Sequence, residues 1–332
     1  MSNLSLLFRR TCLVMLFGSL AFAGAASAQS YPNKRITMIA SFPPGGGTDL
    51  LARLVSQRLS DKWKVPVIVE NRAGASGLIG VRAAMTAAPD GYTLYTGSSN
   101  TMIMLPTLYE GVAFDTMKDF EAITSIANQH SLLVMHPSVP ANSVKEFIAL
   151  ARSKPGVFNF ASPGQGSYDH IAMLLFQKRT GIDATHVPYK GSADAVTAVM
   201  SGGEVSVMFG SIGTSTPHVR SGRFKALGLT ADKRSSALPD VPTMAEAGLP
   251  DFEIYSWNGV FAPAGTPKDI VAKINTEVVE MLRDKAVLER LSSLGFVPAG
   301  TTPDQFTAQI KAELARWTKV FKEVGIERKP LN

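Results

Sequence analysis

Cysteine is almost missing: the 332 residues contain one, Cys12. It opens the apolar stretch over 12–24, which follows Arg9 and Arg10 and leads to Ala26-Ser27-Ala28 before Gln29. That order of basic, apolar and small residues reads as a cleavable secretory signal over 1–28. A mature chain starting at Gln29 then has no cysteine, which excludes disulfides, cysteine metal sites and cysteine nucleophiles. Cys12 is also badly placed for a lipid anchor, since it begins the apolar run instead of closing it. No later stretch approaches the run of about 18 apolar residues that a membrane-spanning helix needs.

Strong charge is missing too. With Arg9 and Arg10 set aside, the 33 basic residues fall to 31 against 27 acidic ones, and no Lys/Arg-rich run is present. Nucleic acid is therefore not an expected partner. His130, His136, His186 and His218 show no spacing that would hold a metal. No cofactor is expected.

What the chain does have is a glycine turn between a strand and a helix. Over 36–40 lies a β-rich run; Ser41-Phe42-Pro-Pro-Gly45-Gly46-Gly47-Thr48-Asp49 follows; then Leu51, Leu54, Val55 and Leu59 recur at helical spacing. Gly45, Gly46 and Gly47 carry no Cβ to keep a ligand off the backbone, and the helix start presents unpaired N–H groups and the positive end of its dipole. The turn is suited to an anion. It is not a nucleotide loop, because Gly47-Thr48 lacks the Gly-Lys-Ser/Thr ending.

Strand and helix patterns alternate from there, which predicts an α/β fold with a parallel sheet covered by helices. Strands are expected over 35–40, 65–70 and 92–96, and in a second lobe over 132–136, 158–161, 185–189, 205–209 and 225–230. Ligands in such sheets sit beyond the carboxyl ends of the strands. This places Phe42, the glycine turn, Thr48, Ser98, Ser99 and Asn100 on one rim. The facing rim gathers three Gly/Ser loops, with Ser162, Gly164, Ser167 and His170 on the first, Lys190, Gly191 and Ser192 on the second, and Gly210 and Ser211 on the third. Trp257 and Phe42 either wall the cleft or pack at its hinge. Thr266-Pro267 and Thr302-Pro303 start two further helices, the second with Gln305 completing a capping box. About 300 residues suit two lobes, assigned as 29–126 plus 257–332 and 127–256. The chain crosses between them near 124–131 and 252–259, a two-segment hinge.

Seven short motifs, in order, resemble the extracytoplasmic solute-binding proteins of the tripartite tricarboxylate transporter system, the Bug receptors. They are Phe42-Pro-Pro-Gly-Gly-Gly-Thr-Asp49, Glu70-Asn-Arg-Ala-Gly-Ala-Ser-Gly77 with Gly80, Pro89-Asp-Gly-Tyr92, Asp169-His170-Ile-Ala172, Val187-Pro-Tyr-Lys-Gly191, Pro239-Asp-Val-Pro-Thr243, and Trp257-Asn-Gly with Ala262-Pro-Ala-Gly-Thr-Pro267. The resemblance implies a type II periplasmic-binding-protein fold that traps a small organic carboxylate between two lobes. It also implies delivery to a membrane permease, location in the periplasm, a monomer, and no catalysis. In that family one carboxylate is held mostly by backbone amides and waters. The chain departs from many relatives in having Gly210-Ser211 where they place an aspartate, which removes one partner for an ammonium group. Two other readings differ in output: a receptor docking on a membrane sensor, and an exported serine hydrolase. The hydrolase fails on chemistry, because Ser167, Asp169 and His170 share one helical turn and cannot converge as nucleophile, base and orienter. A Gly-x-Ser-x-Gly nucleophile turn is also missing.

Overall fold

Strand β1 (Ile36–Ala40), helix α1 (Gly47–Trp63), strand β2 (Val67–Asn71), helix α2 (Leu78–Met85) and strand β3 (Thr93–Ser98) open the fold in the expected alternation. The computed structural model describes residues 31–330, and the chain from Arg35 onward forms one compact unit. The expected signal segment and Cys12 lie outside the described residues.

Beyond β3 come a short helix α3 (Leu105–Leu108), strands β4 (Tyr109–Glu110) and β5 (Phe120–Met135), helix α4 (Val144–Ser153) and strand β6 (Phe158–Ser162). Next are helix α5 (Tyr168–Thr180), strand β7 (Ala184–Pro188), helix α6 (Ser192–Ser201), strand β8 (Val207–Ser211), helix α7 (Ile212–Arg220) and strand β9 (Lys225–Leu229). Strand β10 (Tyr255–Pro263), helices α8 (Lys268–Met281) and α9 (Lys285–Ser293), strand β11 (Val297–Pro298), helix α10 (Pro303–Glu323) and strand β12 (Lys329–Pro330) complete it.

The sheet has two halves. In the first, the order is β2-β1-β3-β10-β5-β11, and in the second β9-β5-β8-β6-β7. β1 pairs parallel with β2 and β3, and β6 pairs parallel with β7 and β8. The sheet is mixed where a parallel one was expected, because β5 passes from the first half into the second and β10 enters the first half without a crossover helix before it, and both run antiparallel to their neighbours. β5 changes partner in a single step: His130 pairs with Tyr255 of β10, and Ser131 pairs with Ser211 of β8.

One continuous apolar core underlies both halves, from Tyr95, Phe120 and Phe261 through Trp257, Tyr168 and Trp317 to Phe176 and Phe209. Tyr168 of α5 meets Trp317 of α10 edge to face, with ring centroids 5.2 Å apart. Gly213 at the start of α7 packs so closely on the turn behind α9 that a Cβ on it would overlap the Leu294 carbonyl, and a Cβ on Gly295 would overlap the Gly213 backbone. Helix ends follow local chemistry. Thr302 accepts from the Gln305 N–H and Gln305 answers with its side chain, the expected capping box. Thr266 was expected to cap α8, but its hydroxyl donates to the Pro263 carbonyl and Pro267 takes the cap position.

Candidate functional site

α1 starts without a side-chain cap. Its cap residue is Gly46, and the Leu50 N–H is the first to bond back, to the Gly46 carbonyl at 3.0 Å. The N–H groups of Gly47, Thr48 and Asp49 precede the helical ladder and so depend on a partner from outside the helix. Gly46 sits at φ −74°, where any residue fits, and a Cβ there would meet only the Pro43 carbonyl at 3.6 Å. The space over the turn is therefore open for a reason other than backbone strain.

Asp49 would repel an anion if it faced this space. Instead its carboxylate turns back, accepting from the Gly45 N–H at 2.9 Å, Asn71 Nδ2 at 2.8 Å and Arg53 Nε at 3.0 Å. Burial pushes this carboxyl up, but the hydrogen bonds from Arg53, Gly45 and Asn71 and the Arg53 charge outweigh it and hold it below the usual carboxylate range. The consequence for Gly45 is that its N–H is already donated.

Thr48 ties the turn to the hinge strand, its hydroxyl donating to Asn258 Oδ1 at 2.8 Å. Asn258 pairs with Ser98 across β10 and β3. Ser98 is the last residue of β3, two residues beyond the expected strand end, and its N–H reaches Thr101 Oγ1 at 3.2 Å. Ser99 is fully buried and its hydroxyl accepts the Trp257 N–H at 3.1 Å. Asn100 stays partly exposed at the start of a π-helical turn, as does Phe42 near the start of the loop after β1.

On the facing half the loops differ from one another. Ser167 caps α5, accepting the His170 N–H at 3.3 Å and donating to the Gly164 carbonyl at 2.8 Å. Ser211 caps α7 through the Thr214 N–H at 3.4 Å. α6, like α1, has a glycine cap, Gly191, with no side-chain cap and open space around it, and exposed Lys190 precedes it. Ser192 is its first residue.

Four nominated residues are enclosed, three of them with side chains turned inward. Trp257 is fully buried and its indole N–H sits 2.9 Å from both oxygens of Glu313, so it packs at the hinge and does not wall a cleft. His170 stacks on His186 with centroids 4.0 Å apart, and its Nδ1 accepts the Gly166 N–H. Burial, with His186 and Lys329 nearby, pushes His170 down to about 3, so it is neutral at physiological pH. Ser162 is fully buried, bonded to His186 Nε2 at 2.7 Å and to the Gly164 carbonyl at 3.0 Å. Gly210 is enclosed, and a Cβ there would press on Ser215 Oγ at 2.8 Å.

Three residues at the hinge were not among the expected site residues: Asn258 and Asp169, which stand only within motifs, and Ser131. Asp169, in the first turn of α5, is 8 % exposed and accepts one hydrogen bond, from Ser131 Oγ at 2.5 Å. Burial pushes its carboxyl up to about 6, opposed by the Ser131 hydroxyl. A carboxyl raised on folding lends stability below its ordinary value of 3.8, and that stability is lost as pH rises through about 6. Asp169→Asn should therefore raise the melting temperature at pH 7.5 by a few degrees, for a gain of about 2–3 kcal/mol. Melts at pH 7.5 and below pH 4 check this, since the gain should vanish in acid.

No group of three or more His, Cys, Asp or Glu side chains able to hold a metal occurs among the described residues.

The family model for the tripartite tricarboxylate transporter family receptor matches residues 51–326. Protein BugT of Bordetella pertussis is 38% identical over 308 residues, covering 92% of this chain and 94% of BugT. Among solved structures, that of R. palustris Rpa4515 with adipate superimposes with a TM-score of 0.82 at 34% identity, covering 90% of this chain and 99% of the other. MatC from Rhodopseudomonas palustris, with bound malate, gives 0.75 at 33% identity, covering 87% and 99%. These neighbours have the two-lobed fold of periplasmic binding proteins, and the family consists of binding proteins, not enzymes. Sequence, fold and an uncapped helix start agree: the chain belongs to the tripartite tricarboxylate transporter receptor family, whose Bug proteins are its relatives.

Proposed function

We propose that the protein is a periplasmic receptor that captures a small organic carboxylate between two lobes and delivers it to a membrane permease of the tripartite tricarboxylate type. The observation that carries this reading is the glycine cap of α1, which leaves backbone N–H groups and the positive helix end open to an anion while Arg53 neutralises Asp49. The adipate and malate held by the two neighbours are small dicarboxylates of the same class.

In this account the lobes are 29–126 plus 257–332 and 127–256, hinged where β5 and β10 cross. Gly46, Gly47 and Thr48 hold one carboxylate, with Ser98, Asn100 and Phe42 at its edge. Gly164, Lys190, Gly191, Ser192 and Ser211 face it from the second lobe.

The test is thermal denaturation of the mature protein against mono-, di- and tricarboxylates. Ligand at a hundred times its dissociation constant should add about 2.7 kcal/mol of stability, a rise of several degrees. No stabilisation by any carboxylate would contradict the proposal. Capture of a permease from membranes only when ligand is present would support delivery to a transporter.

A further inference from the structure

Asp169 is unusual for a receptor of anions. It is a carboxylate more than nine-tenths buried, at the point where β5 leaves the first half of the sheet and joins the second. Ser131, its partner, pairs with Ser211 at the end of β8 from which α7 departs, the end that carries the facing loops. The Ser131–Asp169 distance of 2.5 Å is that of a hydroxyl donating to an ionised carboxylate. Its place in the first turn of α5 favours the same ionised form.

An ionised carboxylate has room for about four hydrogen bonds, and Asp169 receives one. No lysine, arginine or histidine pairs with it among the described residues; the adjacent His170 has its Nδ1 committed to Gly166, and His130 on β5 bonds to the Thr230 carbonyl. The second oxygen of Asp169 has no protein partner among the described residues and is not among the atoms sealed from solvent, so a donor from outside the protein can reach it.

Resting on the receptor reading above, we propose that Asp169, held by Ser131, is the acceptor that selects carboxylates bearing a hydroxyl or ammonium donor. The ligand's carboxylate is repelled by Asp169 and drawn to the uncapped start of α1, so the two ends of the site fix its orientation. Asp169 thereby supplies an acidic partner that Gly210-Ser211 does not.

Calorimetric titration of the mature protein tests this with dicarboxylates of four to six carbons, each plain, with a C2 hydroxyl and with a C2 ammonium. The expected result is that a donor-bearing acid binds at least about tenfold more tightly than the plain acid of equal length. Asp169→Asn should erase the advantage of the ammonium acid and, by removing a charge that repels carboxylate, bind the plain acid at least as tightly as before. The hydroxy acid should keep most of its advantage, because the amide oxygen still accepts. Equal affinities for plain and substituted acids, or a uniform loss across all three in Asp169→Asn, would overturn the selector while leaving the receptor intact. Failure of every acid to bind would overturn both.

Discussion

Replacing Gly46 by valine is expected to abolish carboxylate binding while the protein stays folded. The backbone at Gly46 lies in a region open to every residue, and a Cβ placed there meets only the Pro43 carbonyl at ordinary contact distance. A branched side chain thus enters without strain but occupies the volume over the N–H groups of Gly47 and Thr48. Hydrogen bonds to a charged acceptor contribute about 1.5–3 kcal/mol each. Losing two corresponds to a hundredfold or greater drop in affinity, with factors of ten per about 1.4 kcal/mol. Titration calorimetry together with a melt decides it. Retained affinity would show that the turn is only a connector; an unfolded variant would show that the glycine is needed by the chain and not by a ligand.

The largest loss of stability is expected at the hinge. Trp257 is fully buried, packs edge to face on Phe306 with centroids 5.0 Å apart, and donates to Glu313. Burial pushes the Glu313 carboxyl up, while Gln309 and Trp257 hydrogen bonds pull it back. Trp257→Ala removes a large core side chain, which costs about 3–5 kcal/mol, and also strips a buried carboxylate of a donor. A fall in melting temperature of the order of 10 °C follows. Trp257→Phe should recover the packing but not the hydrogen bond, and so fall between the two. A change below about 2 °C for Trp257→Ala would mean that the hinge does not rely on this anchor.

These predictions rest on features of uneven legibility in the sequence. The glycine turn and the Thr302–Gln305 capping box were readable because local chemistry decides them: a Cβ-free turn, and a hydroxyl three residues before an amide side chain. The long strand β5 was not. Its centre, Asn128-Gln129-His130-Ser131, is polar where the strand passes between the halves, so only its apolar second part read as a strand. Missing the first part also concealed the mixed sheet.

Site residues divide in the same way. In the proposed site Gly46, Gly47 and Gly191 act through backbone, and glycine at a helix start is visible in one sequence. Ser99, Ser162 and His170 are polar residues in the right loops whose side chains bond to Trp257, His186 and Gly166 inside the protein, and orientation of that kind has no sequence signal. In sequence Asp169 stands within a motif and beside Ser167 and His170 in one helical turn, where no relay can form. The role proposed for it rests on Ser131, which lies 38 residues away and meets it only in the fold.

The central claim is that the ligand is an anion held by backbone at the start of α1. A crystal structure of the mature protein with a bound dicarboxylate tests it most directly. The account predicts carboxylate oxygens within about 3 Å of the Gly47 and Thr48 nitrogens or joined to them by one water. A carboxylate held by lysine or arginine side chains, away from this turn, would contradict it.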